Sequence, residues 1–431
     1  MQTFVWKNLS SRQRTAALAR PSPSAQPRRA VLVAKIIAAV RRDGDDALRR
    51  FTEKFDGVRL RALRVSEAEF TAAARALGRA DQNALRVAYR NLLRFHRAQI
   101  TPALRVETTP GIVCEKVTRP IGRVGLYVPG GSAPLFSTAL MLGVPSQLAG
   151  CGVRVLCTPP DRQGRISPWI LCAARLCGIS EVYKVGGAQA IAAMAFGTAS
   201  VPKCDKLFGP GNAFVTEAKL QVSRLGTAID LPAGPSEVMV VADHRADPAF
   251  TAADLLSQAE HGPDSQVVLV TYSRQFAARV QAALARQLAD LPRRAIACRA
   301  LTGSRIIVAA ASDEAAVIAN LYAPEHLILQ VAEPRALLAR ITTAGSVFLG
   351  PWTPESLGDY ASGTNHVLPT GGWARTCSGL GLADFQRTMT VQTASRRGLE
   401  KLGPVVERLA LAENLAAHQR AVRVRLEKLS R

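Results

Sequence analysis

Between residues 125 and 271 one pattern repeats: a short apolar run, a turn carrying Gly or Pro, then a stretch of helical character. The runs are Gly125 to Val128, closed by Pro129-Gly130-Gly131, and Val153 to Cys157, closed by Pro159-Pro160. Glu181 to Val185 is closed by Gly186-Gly187, and Cys204 to Phe208 by Gly209-Pro210-Gly211-Asn212. Glu237 to Ala242 and Gln266 to Thr271 follow the same order. Alternation of strand, turn and helix predicts an α/β protein with parallel sheets, and so many strands require two of them. A chain of 431 residues has room for two to four units. Upstream, Ala30 to Phe55 reads as a helix interrupted by Gly44 and ended at Asp56-Gly57. Ser66 to His96 reads as helical behind a Ser66/Glu69 capping box. Gly403-Pro404 is expected to open one last helix reaching about Leu429.

The net charge of +22 raises the question of nucleic acid. The arginines are spread over the whole chain, aromatics are 5%, and no nucleic-acid-binding motif occurs, so no nucleic acid partner is expected. Residues 1–42 hold no Asp or Glu, a composition that a transit peptide would share; a basic N-terminal arm is the reading adopted. The run Val31 to Val40 is broken by Lys35 and too short for a bilayer, so no membrane span is expected. The eight Cys form no C-x-x-C pair and mostly sit in apolar runs, which fits a reducing cytoplasm.

Gly209-Pro-Gly211-Asn212-Ala-Phe214 approaches the dinucleotide fingerprint but ends in Phe. Together with Tyr127 to Gly131 and Gly186 to Gln189, it should gather at the carboxyl edge of one sheet, where such folds bind ligands. Tight turns alone would account for the same glycines.

Of six histidines, His96 and His244 read as surface residues. Gln258 and His261 fall three apart in the last turn of a helix that Asp247-Pro248 begins and Gly262-Pro263 ends. A helix C-terminus favours a cation, but from this stretch alone a capping histidine is the better reading. Glu325-His326 pairs a carboxylate and an imidazole, read as lying on a loop, that could move protons at neutral pH, though a helix-capping Glu beside a packed His is the stronger reading of the pair alone. Gly358 to His366 reads as a polar, irregular stretch. In the tail, Leu411, Leu415, His418 and Val422 share one helical face. Gln258, His261, Asp359 and His418 together offer two imidazoles, a carboxylate and an amide oxygen, a donor set suited to zinc.

These strings together resemble bacterial histidinol dehydrogenase over nearly the whole chain: Gly125-LYVPGG, Val185-GGAQAIA, Phe208-GPGNAFVTEAK, Asp230-LPAGPSEV, Ser257-QAEHGPDSQ, Tyr322-APEHL and Gly358-DYASGTNHVLPT. The start of that family is similar to the stretch through Arg20-Pro21 as well. The resemblance implies oxidation of L-histidinol to L-histidine through L-histidinal in two NAD-dependent steps. It implies one zinc per subunit on Gln258, His261, Asp359 and His418, with His326 as general base and Glu325 activating water. Ser236, His366 and Glu413 fall at substrate-contacting positions; Tyr127, Gln189 and Asn212 fall at NAD-contacting positions. It further implies a homodimer with swapped segments, His418 and Glu413 entering the partner's site.

The expected architecture is two Rossmann-like parallel-sheet domains with a small N-terminal arm and a C-terminal helical tail. The arm is residues 1–25, the first domain 26–124 with 239–381, the second, NAD-binding domain 125–238, and the tail 382–431. The alternatives are a zinc- and NAD-dependent relative acting on a different small alcohol, and a thiol-dependent aldehyde dehydrogenase using Cys114 or Cys377.

Overall fold

The computed structural model describes residues 1–21, 26–130, 135–231 and 234–430. Gly131 of the first glycine turn and Pro232-Ala233 of the 230–238 string lie outside them. Two parallel sheets are present, as expected. The six-stranded sheet runs in the order Gln2–Val5, Arg305–Val308, Gln266–Thr271, Glu237–Ala242, His326–Gln330, Ser346–Leu349. The five-stranded sheet runs Glu181–Lys184, Val153–Thr158, Arg123–Tyr127, Lys206–Phe208, Ala228–Ile229. In both, the chain builds outward from a central strand in one direction, then returns to that strand's other side. Each sheet therefore has a topological switch point.

Both sheets are covered on both faces, which is why their strands read as unbroken apolar runs. In the five-stranded sheet, Val124, Leu126 and Val128 point into one core and Tyr127 into the other. In the six-stranded sheet, Val238 and Val240 face one core, Met239 and Val241 the other.

Three expectations need correction, and the packing of the helices of residues 26–97 bears on a fourth, the grouping of 26–124 with 239–381. Val33, Ile36 and Ile37 of Gln26–Asp56 join the core on one face of the five-stranded sheet, and Phe70, Leu85 and Leu92 join the core on its other face. A third sheet, antiparallel, pairs Gln386–Ala394 with Ile112–Pro120 and that strand with Leu104–Thr109. The segment 382–431 is thus not purely helical. The tail is a hairpin of two helices, Arg396–Ala412 and Ala416–Leu429, turning at Asn414 with φ of 60°. Gly403 and Pro404 lie inside the first helix, and the turn breaks the single face proposed for Leu411, Leu415, His418 and Val422. His96 is fully buried, its Nδ1 3.2 Å from Gln99 Oε1.

No helix among the described residues is long and apolar enough to cross a membrane. The N-terminal arm is anchored: Gln2–Val5 adds a parallel edge strand beside Arg305–Val308.

Candidate active site

The glycine turns meet as expected. Tyr127, Gly130, Gln189 and Asn212 line one cavity of about 830 Å³ at the carboxyl edge of the five-stranded sheet. Tyr127 and Asn212 flank its switch point, between Arg123–Tyr127 and Lys206–Phe208. Close approach explains two of the glycines. Gly209 has φ of +117°, and a Cβ there would lie 2.1 Å from the Tyr127 carbonyl oxygen. At Gly130 it would meet the Pro159 ring at 2.2 Å. Gly187 N–H donates to the Tyr127 hydroxyl at 3.0 Å, and the Asn212 side chain caps the helix Ala213–Arg224. Gln189 is buried, and its Oε1 has no partner among the described residues.

The second cluster sits at the amino ends of the six-stranded sheet. His326 is the first residue of its strand, not a loop residue, and pairs in register with Val238. Glu325 and His326 are both buried, and both are held by the main chain of Glu237. Its N–H donates to Glu325 Oε2 at 2.8 Å, and its carbonyl lies 3.3 Å from His326 Nδ1. Asp359 belongs to a six-residue helix, Glu355–Tyr360, and so is not irregular as expected. Its Oδ1 stands 3.5 Å from His326 Nε2. One turn earlier, Glu355 is 1% exposed, with Oε1 3.9 Å from His326 Nδ1. Among the described residues, His326, Glu355 and Asp359 can each bring a donor atom within 4.8 Å of the others. Glu355 was missed from sequence; its i, i+4 spacing to Asp359 was the available signal.

Burial and charge set the protonation of this cluster. Burial pushes Glu325 up to about 8 against the opposing pull of His326. Burial works against ionised Asp359 too, but the adjacent His326 imidazole, with the nearby His366 and His261, outweighs it and holds the carboxyl low. Burial would lower His326, yet Glu355, Glu325 and Asp359 raise it well above an ordinary imidazole. Burial depresses His366, whose Nε2 lies 3.1 Å from Ser137 Oγ.

Gln258 is fully buried on the helix Pro248–Ala259, and both its amide atoms lack a partner. His261, just past that helix, is exposed, with Nδ1 2.9 Å from the Ser257 carbonyl. Ser236 is half-buried and immediately precedes the strand of Glu237. His418 and Glu413 are exposed on the tail hairpin, whose main contacts are internal and with Gln386–Ala394. Within the chain, the four donors proposed for zinc are therefore not assembled: the tail histidine stands apart from the cleft.

The family model of histidinol dehydrogenase matches residues 20–426. A Photobacterium profundum histidinol dehydrogenase is 58% identical over 431 residues, covering 100% of this chain and 96% of that one. One from Vibrio cholerae is 57% identical, covering 100% of both. The crystal structure of histidinol dehydrogenase from Elizabethkingia anophelis superposes with a TM-score of 0.95 at 47% identity, covering 100% of this chain and 99% of that one. With that likeness running the length of the chain, the chain belongs to the histidinol dehydrogenase family.

Proposed function

We propose that this oxidoreductase oxidises L-histidinol to L-histidine through L-histidinal, completing histidine biosynthesis, in the cleft around Glu325 and His326. The reading places the work in the cytoplasm, with NAD in the cavity of Tyr127, Gln189 and Asn212. One observation carries it: a buried imidazole and carboxylate, side by side in sequence, both fixed by one main-chain unit and ringed by further carboxyls.

The residues present suit a bound cation. Gln258 buries an amide with neither atom satisfied, and such groups ordinarily find partners. Glu325, Glu355 and Asp359 crowd carboxyls into a site of low polarity, and a donor set without Cys argues against a purely structural zinc site. Gln258, His261 and Asp359 would hold the metal, with His418 supplied by a second subunit. Gln189 Oε1, buried and unpartnered against the cavity, is in the same way open to a cofactor hydrogen bond. When bound, NAD would supply the hydride acceptor for both oxidations, and zinc would supply an anchor for the substrate's amine and imidazole.

The chain's own residues do the rest. The carboxyls favour protonated His326, and burial favours protonated Glu325; a cation held among them would favour the free bases instead. So poised, His326 takes the hydroxyl proton of the alcohol, and Glu325 takes the proton of the water that adds to the aldehyde, which Ser236, His366 and Glu413 help to hold. Splitting these tasks between adjacent residues lets one cleft serve both oxidations. Val405, Leu409, Leu411 and Leu415 are exposed on the tail hairpin, which supports a homodimer in which Glu413 and His418 cross to the neighbouring site. The packing further supports two units that follow the sheets, the helices of residues 26–97 moving with 125–238.

The test is metal analysis with a histidinol and NAD assay, with and without chelator, on three proteins. His326→Ala should lower turnover about a hundredfold or more with zinc retained. His261→Ala should lose zinc first. Equal zinc loss in both variants refutes the division of roles.

A further inference from the structure

The N-terminal arm reaches the floor of the cleft. The Ala19 carbonyl accepts from Gln266 Nε2 at 3.1 Å, and the next side chain, Arg20, turns inward. Its Nε and Nη2 fork the two carboxylate oxygens of Glu237 at 2.5 and 2.8 Å. The same Nη2 donates to the carbonyls of Tyr322 at 2.7 Å and Ala323 at 3.3 Å. The guanidinium also lies over the Tyr322 ring, 4.0 Å from its centre. Tyr322 in turn places its hydroxyl 3.2 Å from Glu237 Oε2 and 2.8 Å from Gln266 Oε1.

We propose that Arg20 is a positioning residue for the reaction, fixing Glu325 and His326 from beneath by clamping the strand that orients them to the turn that presents them. The inference rests on the roles given above to those two residues. Glu237 is the hinge of the argument: its side chain is held by Arg20, while its amide and carbonyl hold Glu325 Oε2 and His326 Nδ1. The other grip is on the end of the helix Ser312–Tyr322. Carbonyls there lack helical partners, and a cation is favoured at that pole. Ala323 has φ of +52°, a left-handed conformation that alanine seldom adopts, and only Pro324 separates it from Glu325. A fork that binds both elements fixes their spacing, which a point charge on a flexible stem does less well. Glu237 is 2% exposed, so its carboxylate has little recourse to water if the guanidinium is removed.

The experiment compares zinc-loaded wild type, Arg20→Ala, Arg20→Lys, Glu237→Gln and the Arg20→Lys/Glu237→Gln double variant, each at measured zinc content. For Arg20→Ala, kcat should fall about 10- to 100-fold, the cost of a small misplacement of reacting groups, with KM for NAD and zinc content retained. The pH profile of kcat should shift in the same variant. Millimolar guanidinium should restore part of its turnover and leave wild type unchanged. Should Arg20→Ala not fold, the other three variants decide: the double variant should be no slower than the worse single one, because both remove one interaction. Multiplying effects, or kcat in Arg20→Ala within about twofold of wild type per zinc-loaded molecule, overturn the proposal. An inactive His326→Ala beside a fully active Arg20→Ala sinks only this inference; an active His326→Ala sinks the site reading itself.

Discussion

Replacing Gln258 with leucine should make the metal-free protein more stable and the metal-loaded protein less responsive to zinc. Gln258 is 0% exposed, and neither amide atom has a hydrogen-bond partner. Leaving a buried polar group unsatisfied costs about 1–3 kcal/mol. Leucine has similar bulk and no polar atoms, so it relieves that cost without opening a large cavity. The expected gain is about 2 kcal/mol, or roughly 2–8 °C in Tm for a cooperative unit of this size. Zinc acts in the opposite sense. A ligand present at 100 times its Kd stabilises by about 2.7 kcal/mol, and the variant lacks one of the donors that would collect this. The order of melting temperatures should therefore reverse: variant above wild type after chelation, wild type level or above once zinc is restored. Thermal melts with and without chelator, followed by zinc titration, read this directly. A metal-free variant less stable than metal-free wild type, or an equal rise with zinc in both, refutes the reasoning.

Gly209→Ala should raise KM for NAD on the order of tenfold and destabilise the protein by about 2 kcal/mol or more, with KM for histidinol moving less. Its Cβ would strike the Tyr127 carbonyl in the cofactor turn, so steady-state kinetics with each substrate varied separates the two effects. Asp56, which lines the cavity of Tyr127, Gln189 and Asn212, is pushed up to about 6 by burial. The folded protein thus binds more protons than the unfolded one between about pH 4 and 6, and that stabilisation is lost as pH rises through this window. Asp56→Asn should accordingly gain on wild type by on the order of 1 kcal/mol between pH 4 and 7, after allowance for partial exposure. A Tm difference that does not change with pH would contradict this. Mixed dimers of His326→Ala and His418→Ala subunits should recover activity, because one of their two sites has its own His326 and the neighbour's His418. A statistical mixture should reach about a quarter of wild-type turnover; no recovery would show that the tail serves its own subunit.

The parts of the fold that could be read from sequence were local. Strand, turn and helix from Gly125 to Thr271 follow from apolar runs and glycines within a few residues of each other. The Ser66/Glu69 capping box forms as read, with Ser66 N–H donating to Glu69 Oε2 at 2.9 Å. His96 was misjudged by its arginine neighbours. The buried stripe Leu85, Ala88, Leu92 and His96 recurs at helical spacing and points the other way. The antiparallel sheet escaped notice because Gln386–Ala394 and Ile112–Pro120 are far apart in the chain, and most of the former is exposed. In the tail, Asn414 takes the left-handed conformation that asparagine tolerates better than most residues, and that one torsion splits the final helix.

The site depends on where two sheets of like topology are used. The glycine turns proposed to hold NAD lie where the switch-point rule places a ligand site, at the carboxyl edge of the five-stranded sheet. Ser236, Glu325 and His326 instead lie at the amino edge of the six-stranded sheet. The chain between the sheets gives the reason. After Asp359, Asn365 donates to the Met141 carbonyl at 2.8 Å, and Val367, Leu380 and Phe385 enter the core of the five-stranded half. The segment that leaves the six-stranded sheet at Leu349 is thus committed to the other half within a few turns, past the amino ends of its own strands. That path carries His366 to within 3.1 Å of Ser137 on a helix of the five-stranded half. On the function proposed above, the six-stranded sheet's amino edge would supply the base and the five-stranded sheet's carboxyl edge the seat of the electron acceptor, so that the reaction would need both halves.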